Sequence, residues 1–216
     1  MPLDPRSFAA ILFDMDGTLI DSEPIWFAVM RSVITDFGGD LPDHAHVELH
    51  GIDRAATTEL LRNRYGLTGP AERYWDRVSE ELVAALASAN AMPNAASWVE
   101  SAATAGQPRA LVSNSPRSMI RASLARHDWA RHLPVRISVE DVPHGKPEPD
   151  GYLLAAQRLG VDARKTLVIE DSEAGARAAL AAGATCLFVT NGVVAEERAR
   201  RITRHVVAQL PDLDLY

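Results

Sequence analysis

Short apolar, β-prone runs recur along the chain, and polar clusters close most of them. Ala9 to Leu12 leads into Asp14-Met15-Asp16-Gly17, and Ala110 to Val112 into Ser113-Asn114-Ser115-Pro116. Val135 to Val139 leads into Glu140-Asp141 and then Gly145-Lys146-Pro147, and Thr166 to Ile169 into Glu170-Asp171-Ser172. The recurrence predicts strand, polar tip and helix, hence an α/β fold on a parallel sheet. Strand ends of such a sheet share one edge, so residues spread along the chain can converge there.

Between the first and second clusters the pattern becomes helical. Ile25, Val29, Val33 and Phe37 repeat at four, and Val78, Leu82, Ala85 and Leu86 at three to four. Gly38-Gly39, Leu41-Pro42-Asp43, Gly66 and Gly69-Pro70 punctuate this stretch. It predicts a helical insertion over 21–87, hinged near Leu19 to Pro24 and Ser88 to Asn94, in a core made of 1–20 and 88–216. Later helix starts read as Ser115 capping with Pro116 in the first turn, Asp150 opening a helix to Leu159, and Ser172 capping one that Gly183 stops.

The chain's 216 residues suffice for a sizeable core. A hydrophobic content of 47% with 24% charged residues is that of a water-soluble globular protein, and a net charge of -7 argues against a nucleic-acid partner. No apolar run approaches a membrane span and the N-terminus does not read as a signal peptide, so the cytoplasm is expected; a monomer is expected as well. Cys186, the sole cysteine, lies in the apolar run Ala184 to Val189 and reads as a small core residue. Trp75, Trp98 and Trp129 read as packing residues, and the histidines have no metal-ligand spacing.

The chemistry lies at the strand tips. Asp14 and Asp16, two apart at a strand end, are expected to share a face and repel, an arrangement suited to holding a cation or dividing acid from base. Glu170 and Asp171 add carboxylates, while Ser113 and Lys146 supply a hydroxyl and an ammonium suited to a phosphoryl group. Alone, Ser113 reads equally as a helix cap and Lys146 as a solvated loop lysine; the four clusters together favour the joint site.

Phe13-Asp14-Met15-Asp16-Gly17-Thr18-Leu19, the Ser113 cluster, Gly145-Lys146-Pro147 and Val168-Ile169-Glu170-Asp171 resemble the ordered motifs of the haloacid dehalogenase superfamily, within it the β-phosphoglucomutase-like sugar-phosphate phosphatases with a helical cap. The resemblance implies a Rossmann-like parallel-sheet core with an inserted α-helical cap, and a Mg2+-dependent phosphatase acting on a small phosphorylated metabolite, a sugar or polyol phosphate. It makes Asp14 the nucleophile that forms an aspartyl-phosphate and Asp16 the acid and base. Asp14, the Asp16 carbonyl and Asp171 become metal ligands, with Glu170 binding directly or through water. Ser113 and Lys146 grip phosphate, with Asn114 beside them; Glu23, Trp26, His50, Gly51 and Arg54 are cap residues able to contact substrate. A phosphosugar mutase shares every core motif and is the rival, but tyrosine stands in Arg73-Tyr74-Trp75-Asp76 where the mutases' cap lysine aligns. A dehalogenase is disfavoured by Asp16, and a receiver-like signalling module by the insertion.

Overall fold

The computed structural model describes residues 3–49 and 54–212. By their internal contacts these fall into two compact units, Met1–Asp21 with Asn90–Tyr216, and Ser22–Ala89.

The first unit is built on strands β1 (Ala10–Phe13), β4 (Arg109–Val112), β5 (Val135–Ile137), β6 (Thr166–Glu170), β7 (Thr185–Val189) and β8 (His205–Val207), in the spatial order β5-β4-β1-β6-β7-β8. Every pairing in this sheet is parallel. A second, two-stranded antiparallel ribbon pairs β2 (Ile20–Asp21) with β3 (Asn90–Ala91), the segments flanking the helical unit in sequence.

The inner strands β1, β4, β6 and β7 are buried on both sides, as the centre of a parallel sheet must be, and are largely apolar, whereas the edge strands β5 and β8 are mostly half-buried and carry Arg136 and His205. Leu12, Ala110, Val112, Ile137, Val168, Cys186 and Phe188 pack on one face with Tyr152 and Ala155 from α7 (Asp150–Leu159), Ala176, Ala178 and Ala179 from α8 (Glu173–Ala181) and Ala199 from α9 (Glu196–Arg200). The alternate residues Ile11, Phe13, Leu111, Leu167 and Ile169 are buried too. Helix α5 (Ala95–Thr104) packs on β4, and α6 (Arg117–Leu124) follows that strand. The small residues of α8 permit its close approach to the sheet.

Chain order reverses direction at β1: the connection after it runs to β4 and β5 on one side, and the later strands add on the other. Such a switch point, here between β1 and β6, is where α/β sheets bind ligands, at the carboxyl ends of the strands. Asp14 follows β1 and Glu170 ends β6, and the Asp14 N–H donates to the Ile169 carbonyl at 3.0 Å.

The helical unit comprises α1 (Glu23–Asp36), α2 (Ala45–Leu49), α3 (Arg54–Tyr65) and α4 (Ala71–Ala85). Val29, Met30, Val33 and Ile34 of α1 are buried, as are Tyr74, Trp75, Val78 and Leu82 of α4, and the two helices pack together. Trp75, Trp98 and Trp129 are all buried, matching their reading as packing residues, and Cys186 is 1% exposed within the core. Among the described residues no helix is long and apolar enough to cross a membrane.

Candidate active site

The loop after β1 carries the first two acids. β1 ends at Phe13, so Asp14 and Asp16 are not on a strand and the expectation of a shared face gives way. Their side chains go to different partners. Asp14 meets Lys146, while Asp16 Oδ2 accepts from Ser113 Oγ at 3.3 Å and Ser115 Oγ at 2.9 Å.

Ser115 is the first residue the sequence pattern misassigned. Pro116, not Ser115, stands at the cap position of α6, and no side chain caps that helix. The Ser115 hydroxyl is directed to Asp16 instead, and its N–H donates to Ser113 Oγ at 2.9 Å. A serine three residues beyond a strand end and followed by proline looks locally like a cap; only tertiary placement shows its partner.

Lys146 is buried at the centre of the acids. Its Nζ donates to Asp14 Oδ1, to Glu170 Oε1 at 2.6 Å and to the Val112 carbonyl at 2.9 Å, which occupies all three N–H groups of an ammonium. Its backbone is clamped by Asn114, whose amide oxygen accepts from Lys146 N at 2.8 Å and whose Nδ2 donates to the Lys146 carbonyl at 3.1 Å. The amide expected to bind substrate is thus engaged in fixing the lysine loop.

Glu170 is fully buried. Oε1 accepts from Lys146 and from the Tyr152 hydroxyl at 2.7 Å; Oε2 accepts from the N–H groups of Asp171 and Ser172 at 3.2 and 3.1 Å and from Ser172 Oγ at 2.9 Å. A carboxylate has about four lone-pair sites, so these donors leave Glu170 little capacity for anything further. Ser172 also accepts from Gly175 N at 3.0 Å as the cap of α8. Tyr152 was not singled out by sequence, since it sits on the apolar stripe of α7 beside Ala155 and Ala156 and reads as core.

Asp14, Glu170 and Asp171 each offer an oxygen, all within 4.8 Å of one another. Three carboxylates face one ammonium, and the deficit of positive charge shows in the protonation of Asp14 and Asp171. Burial, then the Glu170 charge, pushes the Asp14 carboxyl up to about 8, against the opposing pull of Lys146. Burial with the Asp14 and Glu170 charges raises Asp171 well above the ordinary carboxylate range. For Lys146, burial works against the charged form, and the Asp14 and Glu170 charges more than offset it, leaving the ammonium firmly protonated. A hard divalent cation on the Asp14 and Asp171 oxygens would supply the missing charge, so these donors fit magnesium.

Gly17 shapes the same cluster. It has φ +75, and a Cβ there would lie 1.9 Å from Asp171 Oδ2, so the carboxylate occupies the space a side chain would take. Asn191 donates its Nδ2 to the Gly17 carbonyl at 2.6 Å and fixes this loop from beyond β7. Asp16 is absent from the carboxylate trio, as is natural for a residue whose side chain faces the serines.

The remaining sequence candidates lie on the helical unit. Glu23 opens α1; Trp26 is half-buried on it; exposed Arg54 opens α3 with its guanidinium 5.0 Å from the Trp75 ring centroid. His50 and Gly51 lie outside the described residues.

A profile of the haloacid dehalogenase-like hydrolases matches residues 8–183, which include every one of these strand-end clusters. The chain belongs to that family. This haloacid dehalogenase-like hydrolase is 35% identical over 187 residues to hexitol phosphatase A of Escherichia coli, covering 82% of this chain and 81% of the relative. It is 30% identical over 177 residues to a phosphorylated carbohydrates phosphatase of Thermotoga maritima, covering 81% of each. A crystal structure of a HAD family hydrolase from Deinococcus radiodurans with bound phosphate and sodium superposes with a TM-score of 0.75 at 30% identity, over 94% of this chain and 92% of that one. The haloacid dehalogenase-like hydrolase described here is accordingly an enzyme, a phosphoric monoester hydrolase.

Proposed function

We propose that the protein is a magnesium-dependent phosphatase of a phosphorylated sugar or polyol, working through an aspartyl-phosphate on Asp14. The observation that carries this reading is the separation of the two neighbouring acids: Asp14 faces Lys146, and Asp16 is turned to Ser113 and Ser115. One carboxylate is thereby set to attack phosphorus and the other to handle protons.

Asp14 Oδ attacks the phosphorus of the ester, and the bond to the sugar oxygen breaks. Asp16 delivers its proton to the departing alkoxide and afterwards takes one from the water that hydrolyses the aspartyl-phosphate. Lys146 has no idle N–H, so gripping a phosphoryl oxygen requires one acceptor to be released; Asp14, the group that becomes phosphorylated, is the acceptor that leaves. The Ser113 hydroxyl, which donates to Asp16, would turn to a phosphoryl oxygen when the ester binds. Magnesium would be held by Asp14, Asp171 and the Asp16 carbonyl, and when bound it neutralises charge on the phosphoryl oxygens. The saturated Glu170 carboxylate serves Lys146 rather than the metal.

Two relatives act, by name, on hexitol phosphates and phosphorylated carbohydrates, which supports the substrate class. Tyr74, at the place of the mutases' cap lysine, is fully buried with its hydroxyl donating to the Met30 carbonyl at 3.3 Å, and offers no second phosphate grip. Hydrolysis is favoured over mutation of the phosphate position.

The test is release of inorganic phosphate from hexose and hexitol phosphates, followed by phosphorus-31 NMR. Release should stop with EDTA and return with magnesium, and Asp14→Asn should fold yet give no turnover. Full activity without metal, phosphate trapped on another residue, or isomer exchange outrunning release would overturn the reading.

A further inference from the structure

We propose that Tyr152 is a positioning residue for Lys146, acting through Glu170; this deepens the phosphatase reading and rests on it. Tyr152 is fully buried on α7 and touches the site twice. Its hydroxyl donates to Glu170 Oε1 at 2.7 Å, the oxygen that also accepts from Lys146 Nζ at 2.6 Å. Its ring lies beneath the same ammonium, with Nζ 5.1 Å from the centroid, a cation–π geometry.

These contacts act on the ammonium from two directions. The ring face provides a seat with no lone pair to compete for an N–H. The hydroxyl meanwhile satisfies part of the negative charge on Oε1, which moderates the pull of Glu170 on Lys146. Without that hydroxyl, Lys146 becomes the sole donor to Oε1 and is drawn toward Glu170, away from Asp14 and from the phosphoryl oxygen it must grip. Other donors to Glu170 all sit on Oε2, so none substitutes. Phenylalanine would keep the ring and remove only the hydroxyl, which separates the two contributions.

The chain's own composition makes the ammonium observable. Lys146 and Lys165 are its two lysines, and Lys165 is exposed. Protein labelled with nitrogen-15 at lysine Nζ therefore has one buried, slowly exchanging ammonium and one exposed, rapidly exchanging one. In the wild-type protein the Lys146 Nζ protons should show a nuclear Overhauser contact to the Tyr152 ring, and its absence would refute the seat.

In Tyr152→Phe the Lys146 resonance should shift while that of Lys165 stays. Inorganic phosphate, titrated in magnesium buffer, should bind roughly fivefold to tenfold more weakly, the scale of a hydrogen bond to a charged group acting through a neighbour. kcat/KM should fall in parallel, with the melting temperature within a few degrees of wild type. Failure of either the resonance or the phosphate affinity to change in folded Tyr152→Phe overturns the proposal. If the wild-type protein releases no phosphate from any ester, the functional reading fails, and the lysine resonance still decides the role of Tyr152.

Discussion

Asp14 carries more of this protein's behaviour than any other side chain, and its protonation ties chemistry to stability. Its folded carboxyl stands at about 8 against an ordinary 3.8. The folded state therefore keeps a proton that the unfolded chain releases, so without metal the contribution is full below pH 4 and is lost as pH rises to about 8. Denaturant midpoints measured in EDTA should fall over that interval, and Asp14→Asn should flatten the slope. Gly17→Ala makes a different demand. Its Cβ would overlap Asp171 Oδ2 and force a left-handed backbone on an alanine, so the variant should stay folded with magnesium affinity reduced roughly 10-fold to 100-fold, the loss seen when ligand orientation is disturbed. Isothermal titration with magnesium measures this. Asp14, Glu170 and Asp171 stood out in sequence because they close apolar runs, where polar residues have few structural uses; Lys146, in a loop well past Val139, stood out only in company with the other clusters. Ser115, Tyr152 and Asn191 were not, because each acts on a partner far along the chain and looks locally like a cap, a core aromatic and a turn.

At the level of elements, α8 couples folding to the site. Ser172 Oγ accepts from Gly175 N and donates to Glu170, so the hydroxyl that starts the helix also braces the acid beside Lys146. Gly175 lies so close to Glu170 that a Cβ there would be 1.7 Å from Oε1. Ser172→Ala should cost about 1 kcal/mol of stability as a lost cap, read from urea denaturation, with a further loss of turnover through Glu170. Strands β1, β4, β5, β6 and β7 were readable because they lie in bounded, mostly apolar runs, and α1 and α4 because their apolar positions recur at helical spacing. Helix α9 and strand β8 were not: a five-residue helix and a three-residue strand hold less than two periods of any pattern. The β2–β3 ribbon, two residues on each side, was visible only as a pair of hinges.

On the scale of the whole molecule, two units fold from one chain, and ligand effects should be confined accordingly. Magnesium at a hundredfold excess over its dissociation constant stabilises by about 2.7 kcal/mol, a rise of roughly 5 to 10 °C for a chain of this size. Calorimetry should show that rise, and Asp171→Asn should remove it. Leu82→Ala, which empties a buried position of the helical unit, should cost about 2 to 5 kcal/mol there and leave the magnesium shift in place. Sequence indicated an insertion because the apolar period changes after Leu19 and changes back after Asn94. The way the sheet is threaded bears on synthesis as well. The strand made first, β1, is flanked on one side by β4 and on the other by β6. At about 5 to 20 residues per second, on the order of ten seconds pass between emergence of β1 and of its second neighbour. Throughout that interval a wholly apolar strand has an edge with no native neighbour, open to pairing with other nascent chains. A ribosome that stalls before Thr166 would release a product that aggregates or occupies a chaperone, whereas one that stalls after Val189 would release a chain with β1 already enclosed.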